Sequence, residues 1–408
     1  GNQGYYTFTN DTYFEITQTV PQKNDSGQPL PPQTTPNIVI DGSGYVIERE
    51  DSSNTFKKPM FKVIYDRDID VSVKNIGIYG TYDSNISSDH SELLLMDNSG
   101  TDSITANVHI QSCFLDGTSV TRSPFLYGDY NNVIISDCFS KCTLKGNHSS
   151  GFLALDVSGV QCTIERSFFA GEFTSGNYAT GFIDISGIAN ANVNINECYS
   201  MCDALEQTQT YHSSFVVAKN TLGNFSFTIR NCYSTHKTNN DVDNILHCFI
   251  IQNPASDFII NITNFYAINS IGSFSGVNNL SLNVYELSNI PSLMNVNQST
   301  IDAFLSNLFL VDDLGIIKGL PLLKCFTDVD GVWEPSIYQN FNSETRQKVF
   351  VDNQSFDKLF DNSTLVDADF DLIDNVNYFS FSGTDTTLRL LNDTSFGDVT
   401  YNFSIKLP

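Results

Sequence analysis

One pattern returns along this chain and restricts its fold more than any other feature. Two β-forming residues stand at alternate positions, a two-residue gap follows, and then comes a small or apolar residue with an aromatic behind it. The copies read Val108-x-Ile110-x-x-Cys113-Phe114, Val133-x-Ile135-x-x-Cys138-Phe139, Cys162-x-Ile164-x-x-Ser167-Phe168, Val193-x-Ile195-x-x-Cys198-Tyr199, Phe227-x-Ile229-x-x-Cys232-Tyr233 and Ile260-x-Ile262-x-x-Phe265-Tyr266. Two earlier segments, Ile38-x-Ile40-x-x-Ser43-Gly44 and Val71-x-Val73-x-x-Ile76-Gly77, carry glycine where the aromatic later stands. From Ser43 to Phe265 the pattern takes seven steps over 222 residues, a mean of about 32. A second column keeps the same register. A further strand opens at Leu93, Phe125, Phe152, Phe182, Phe215 and Phe249, each followed by an aliphatic residue: Leu94, Leu126, Leu153, Ile183, Val216 and Ile250.

A unit of this size, with two or three short strands and no helical periodicity, cannot bury its apolar face alone, but stacking one copy on the next closes a continuous core. The expectation is an all-β, parallel β-helix (solenoid) of about eight rungs. Neighbouring rungs would lie about 4.8 Å apart, with equivalent residues aligned in files. The turns between columns are rich in Gly, Ser, Asn, Asp and Thr, as in Gly146-Asn147-His148-Ser149-Ser150-Gly151, and they absorb the variable spacing. A sandwich of hairpins would show turn signals every 8 to 12 residues or so and gives no reason for the longer repeat.

The segment Asn37-Ile38-Val39-Ile40-Asp41-Gly42-Ser43-Gly44-Tyr45-Val46-Ile47 resembles the opening rung of right-handed parallel β-helix proteins of the pectate-lyase-like kind. The steps Ser150-Gly151-Phe152-Leu153 and Thr180-Gly181-Phe182-Ile183 are similar to GLUG-type repeats of surface adhesins. The resemblance covers roughly residues 36 to 290 and implies the right hand of the coil. That superfamily includes polysaccharide lyases and hydrolases, fibre and tailspike proteins and adhesins, so it implies a fold and leaves the activity open.

An open solenoid must cover its two end strands. Residues 1–35, punctuated by Pro21, Pro29, Pro31 and Pro32, are expected to form an irregular N-terminal cap before the β-helix of residues 36–290. Within residues 291–334, Ile301, Phe304, Leu305 and Leu308 fall at helical spacing behind Ser299 and Asp302, which predicts a capping helix followed by a linker. Residues 335–408 lack the repeat and are read as a small C-terminal β appendage for attachment or oligomerisation.

Composition narrows the function. With 21 Lys+Arg against 46 Asp+Glu the formal charge is −25, which disfavours binding to nucleic acid or an anionic membrane. No apolar run is long enough for a transmembrane helix. Gly1-Asn2-Gln3-Gly4 is not itself a signal peptide, though a cleaved leader could lie upstream of it. Nine cysteines cannot all pair within the chain. Four of them, Cys113, Cys138, Cys198 and Cys232, share one file with Ser167 and are expected as buried free thiols, with inter-rung disulfides as the alternative. Twelve Asn-x-Ser/Thr sites, among them Asn85, Asn147, Asn224 and Asn261, would be glycan acceptors in a secreted chain.

Two constellations are candidates for a site. Asp97, Asp129 and Asp156 each lie four residues into the second strand of consecutive rungs. Stacked carboxylates repel unless solvated, protonated or bridged. They are read as a solvated edge, as Ca²⁺ ligands, or as the acid/base carboxylates of glycoside cleavage. No cofactor other than Ca²⁺ is suggested. The file Phe125, Phe152, Phe182, Phe215 and Phe249 stands next to an aliphatic file of opposite parity, so on a regular strand one of the two faces outward. An outward Phe strip would be a glycan-binding or subunit-contact face, and an inward one would be core. No nucleophile triad or phosphate loop is present, and the six histidines occupy unrelated repeat positions.

The resulting expectation is a non-enzymatic structural or adhesive protein of a virion fibre, extracellular filament or cell surface. Its partners would be glycans or other protein subunits, including a homo-oligomer, as the fibre relatives imply. The alternatives are a polysaccharide lyase or glycoside hydrolase using the stacked Asp residues, and a soluble glycan-binding module.

Overall fold

The computed structural model describes residues 5–9, 13–18, 35, 37–50, 59–81, 93–99, 104–120, 122–144, 148–155, 158–173, 178–185, 189–204, 212–219, 222–237, 247–252, 258–268, 270–275, 277, 279–287, 309–311, 321–323, 387–391 and 399–402. They form strands, turns and no helix.

The repeat lies on a long parallel sheet. Strands Asn37–Glu50, Ile69–Thr81, Ala106–Gln111, Asn132–Ser136, Val160–Glu165, Ala189–Asn196, Leu222–Lys237, Phe258–Ile268 and Asn279–Leu287 pair each with the next, all parallel. The register is the one the pattern demands. Ile110 pairs with Ile135, Ile135 with Ile164, Ile164 with Ile195 and Ile195 with Ile229, so like side chains stand in a file. All five are at most 1% exposed. Alternation does the sorting: Val133 and Ile135 turn inward while Asn132 and Ile134 turn outward.

Past a corner the chain resumes at Phe114–Val120, Phe139–Leu144, Phe168–Phe169 and Tyr199–Ala204, paired in the same order. The remaining side is divided. One five-stranded sheet runs Thr387–Leu391, Tyr13–Gln18, Phe61–Tyr65, Leu94–Asn98, Leu126–Gly128. Another runs Leu153–Ala154, Ile183–Asp184, Ser213–Lys219, His247–Gln252, Ser270–Ser275. The solenoid is about four turns deep, not the eight rungs that counting repeats predicts. The repeat marks positions on the long sheet, whereas a complete turn also needs an unbroken third side.

The two chain ends meet the stack at one place. Tyr5–Thr9 pairs with Val46–Glu50 of the first long strand, and Tyr13–Gln18 pairs with Phe61–Tyr65, so the described part of residues 1–35 extends the sheets. From residues 335–408, Val399–Asn402 pairs with Ile38–Asp41 and Thr387–Leu391 with Tyr13–Thr17. The described strands of the C-terminal appendage thus join the N-terminal edge. The capping helix expected around Ile301, Phe304, Leu305 and Leu308 lies outside the described residues; Phe309–Val311 pairs antiparallel with Pro321–Leu323.

Candidate functional site

The corners are built by residues in the left-handed region. Asn75, Ser112, Asp137, Arg166, Glu197, Asn231 and Asn264 have φ between 45° and 57°, one per rung, each two residues before the aromatic or glycine that ends the motif. A non-glycine residue there is uncommon. The two-residue gap of the repeat contains this corner; four of its seven residues are Asn or Asp, types that tolerate the conformation, while Ser112, Arg166 and Glu197 break the signal. Outside the corner the side chains bond along the axis. Asn75 donates to Asp41 at 3.2 Å, Asn264 donates to Asn231 at 3.2 Å, and Arg166 grips Asp137 at 2.6 and 3.1 Å while reaching Glu165 at 2.9 Å. Hydrogen bonding to Asp137 is the main cause that holds the Arg166 guanidinium above its ordinary range.

Inside the corner runs the Cys/Ser file. The thiols of Cys113, Cys138, Cys198 and Cys232 donate to the carbonyl two residues back, at 3.0 to 3.2 Å, and Ser167 does the same at 2.8 Å. The same atoms accept backbone N–H groups from the neighbouring rung, as in Cys138 N–H to Ser167 Oγ at 3.1 Å and Cys113 N–H to Cys138 Sγ at 3.3 Å. In the five central rungs a small side chain able both to donate and to accept fills this position, which explains why Cys and Ser exchange there, while Ile76 and Phe265 occupy it at the two ends. Cys113, Cys138, Cys142, Cys162, Cys198, Cys232 and Cys248 are buried thiols outside any disulfide. Burial, the largest cause, pushes the thiols of Cys138, Cys162 and Cys198 up, so they are inert as nucleophiles.

The predicted Phe file is core. Phe125, Phe152, Phe182, Phe215 and Phe249 are at most 1% exposed, and the first four stack ring on ring at 4.6 to 5.0 Å. The expected strip of outward aromatics does not form, and side chains without accessible surface cannot meet a glycan or a subunit. Parity does not apply, because Phe125, Phe152 and Phe182 precede strands that begin at Leu126, Leu153 and Ile183, so both neighbours turn inward at a bend. At the next step the register slips, and Val216 pairs with Phe249. The motif aromatics form a second file, Phe114, Phe139, Phe168, Tyr199 and Tyr233, with centroids 4.8 to 4.9 Å apart and planes within 9°. The file stops at Gly77 because the Phe114 ring occupies the space: a Cβ on Gly77 would stand 2.3 Å from it.

Of the expected Asp column, two members lie among the described residues. Asp97 pairs with Lys62 at 2.8 Å, Asp129 is exposed, and Asp156 lies outside the described residues. The Tyr65 hydroxyl, held protonated first by burial and then by Asp129 and Asp97, donates to the Asp129 carbonyl at 2.5 Å. Among the described residues no three His, Cys, Asp or Glu side chains stand together as a metal site.

The arrangement with most capacity for recognition is the outer face of the long sheet, which the sequence reading missed. Asp70, Asn107, Asn132, Gln161, Asn192 and Ser226 occupy one outward file, followed by Ile259. Its first members bond along the axis, Asn107 to Asp70 at 2.6 Å and Asn132 to Asn107 at 2.5 Å. Beside it runs a second file of Ser72, His109, Ile134, Thr163, Asn194, Thr228 and Asn261. Where Gln161, Asn190, Asn192, Asn224, Ser226 and Ile259 meet, they line an open groove of about 440 Å³. Ile134 and Ile259 are 44% and 43% exposed, so the face offers apolar surface among amides and hydroxyls.

No family model matches the chain, and no curated protein matches it. Among solved structures it is similar to a protein from Bacteroides ovatus provisionally named an immunoglobulin A1 protease. Identity is 14%, coverage is 79% of this chain and 87% of that one, and the TM-score is 0.35, too low to carry any inference about activity.

Proposed function

We propose that the chain is a structural and adhesive protein of an exposed surface, such as a virion fibre, an extracellular filament or a cell surface. In this reading it is a right-handed parallel β-helix of the pectate-lyase-like kind that presents the outer face of its long sheet to glycans or to other protein subunits. The observation that carries the reading is the outward file Asn132, Gln161, Asn192, Ser226 and Ile259 with its groove. Amides and hydroxyls at a fixed rung spacing suit repeated hydroxyls, and an exposed Ile suits the C–H face of a sugar.

A glycan array on the purified chain tests this, followed by titration with the best ligand. Replacing Gln161, Asn192 and Ser226 together by Ala is expected to weaken binding about tenfold or more, equivalent to about 1.4 kcal/mol, without moving the melting temperature. Unchanged binding in that variant, or turnover of the bound polysaccharide, would sink the reading.

A further inference from the structure

Where the chain turns into the strands Leu153–Ala154 and Ile183–Asp184, away from the long sheet, lies a cluster of polar and aromatic side chains. Asp184 stands in a strand position filled by Ala154 on the preceding rung and Val217 on the next, so this place accepts apolar groups. Yet its carboxylate is buried, 4% exposed, and takes a hydrogen bond from His148 Nδ1 at 3.1 Å. A buried carboxylate where a methyl group would serve needs a reason beyond packing. His148 and Tyr178 are also corner residues of consecutive rungs, with φ of 58° and 63°, a region that His tolerates better than most residues and that a bulky Tyr seldom adopts. Where the chain enters the long sheet, just before Val160, Ala191 and Asn224, the positive-φ positions are filled by Gly159, Asn190 and Gly223.

Their rings stack at 5.1 Å and 15°, so Asp184 fixes His148 and His148 in turn fixes Tyr178. From the end of strand Ser213–Lys219, Lys219 Nζ donates to the Tyr178 hydroxyl. The ammonium and the phenol proton are brought together at a half-buried spot on a chain that carries −25 overall. Two donors, one of them charged, on a rigid platform suit the paired oxygens of a carboxylate.

We infer that this corner is a binding site for the carboxylate of an acidic sugar, with Lys219 and Tyr178 as the contacts and His148 and Asp184 as positioning residues. The inference rests on the glycan-binding reading above and adds a separate site with its own ligand class.

Calorimetric titration with 3′-sialyllactose and its neutral parent lactose, and with a glucuronate-terminated disaccharide and its methyl ester, is the test. The acidic member of at least one pair should bind about tenfold more tightly than the neutral member, and the two arms tell a sialate from a uronate. Lys219→Met should abolish that preference, Tyr178→Phe should reduce it, and Lys141→Met should leave it unchanged, all three with the parent circular dichroism spectrum. Equal affinity for acidic and neutral members, or a preference that survives Lys219→Met, overturns the proposal. If neutral glycans still bind and the long-face triple variant still loses them, only the corner site has failed. If no glycan binds at all, both readings fall.

Discussion

At the scale of single residues, the file facing the corner shows how closely chemistry can dictate identity. Ser167 receives the Cys138 N–H and donates to the Glu165 carbonyl. Ser167→Cys should therefore change stability by less than about 1 kcal/mol, while Ser167→Val leaves buried backbone groups unmatched and should cost about 1–3 kcal/mol; urea unfolding of the two variants checks this. His212 makes a different kind of prediction. It is 7% exposed, stacked on Phe173 at 5.2 Å, with neither ring nitrogen hydrogen-bonded, and burial lowers its pKa from 6.5 to about 4. The fold therefore holds the ring neutral, and the unfolded chain protonates first. Its contribution is fully present above pH 6.5 and is lost as pH falls toward 4, by up to about 3 kcal/mol. Burial lowers His109 and His247 in the same direction. Melting curves from pH 7 to 4 should fall steeply, and less steeply in His212→Leu; parallel curves would refute the assignment.

At the scale of elements, the aromatic file is a cooperative object. Phe168 is sandwiched between Phe139 and Tyr199 at 4.9 and 4.8 Å, so Phe168→Ala should destabilise by about 3–5 kcal/mol through the cavity it leaves. Gly77→Ala should also destabilise, because the new methyl group meets the Phe114 ring, and pairing it with Phe114→Ala should recover part of the loss, as a double-mutant cycle would show. What could be read from the sequence divides at this level. Inward positions such as Ile135 and Ile164 announce themselves because burial selects one residue class. Corner residues such as Ser112, Arg166 and Glu197 do not, since a left-handed φ imposed by the stack overrides preference. The Phe125 file was legible as a file, but its direction was not, because the bend before Leu126 lets adjacent residues share one side. The outer face of the long sheet went unread for a related reason: its file mixes Asn, Gln, Ser and Ile, and nothing in the chain says which gaps between β-formers face solvent together.

At the scale of the molecule, the repeat specified parallel stacking and not the number of closed turns, which depends on how short strands such as Leu153–Ala154 and Ile183–Asp184 pair on the far side. A formal charge of −25 on a stacked chain implies self-repulsion, so raising salt from about 0.01 to 0.15 M should raise the melting temperature. The most direct check on the stacking itself is a disulfide placed across it. Thr163 and Asn194 are register partners on the outer face, and neighbouring parallel strands bring Cα atoms within the range a disulfide spans. With Thr163→Cys and Asn194→Cys combined, mild oxidation followed by peptide mapping should give that cross-link in nearly every molecule, and Thr163→Cys with Val193→Cys, whose side chains leave opposite sides of the sheet, should give none. The reverse yields, or cross-linking of neither pair, would contradict the parallel stack and with it the face and corner built upon it.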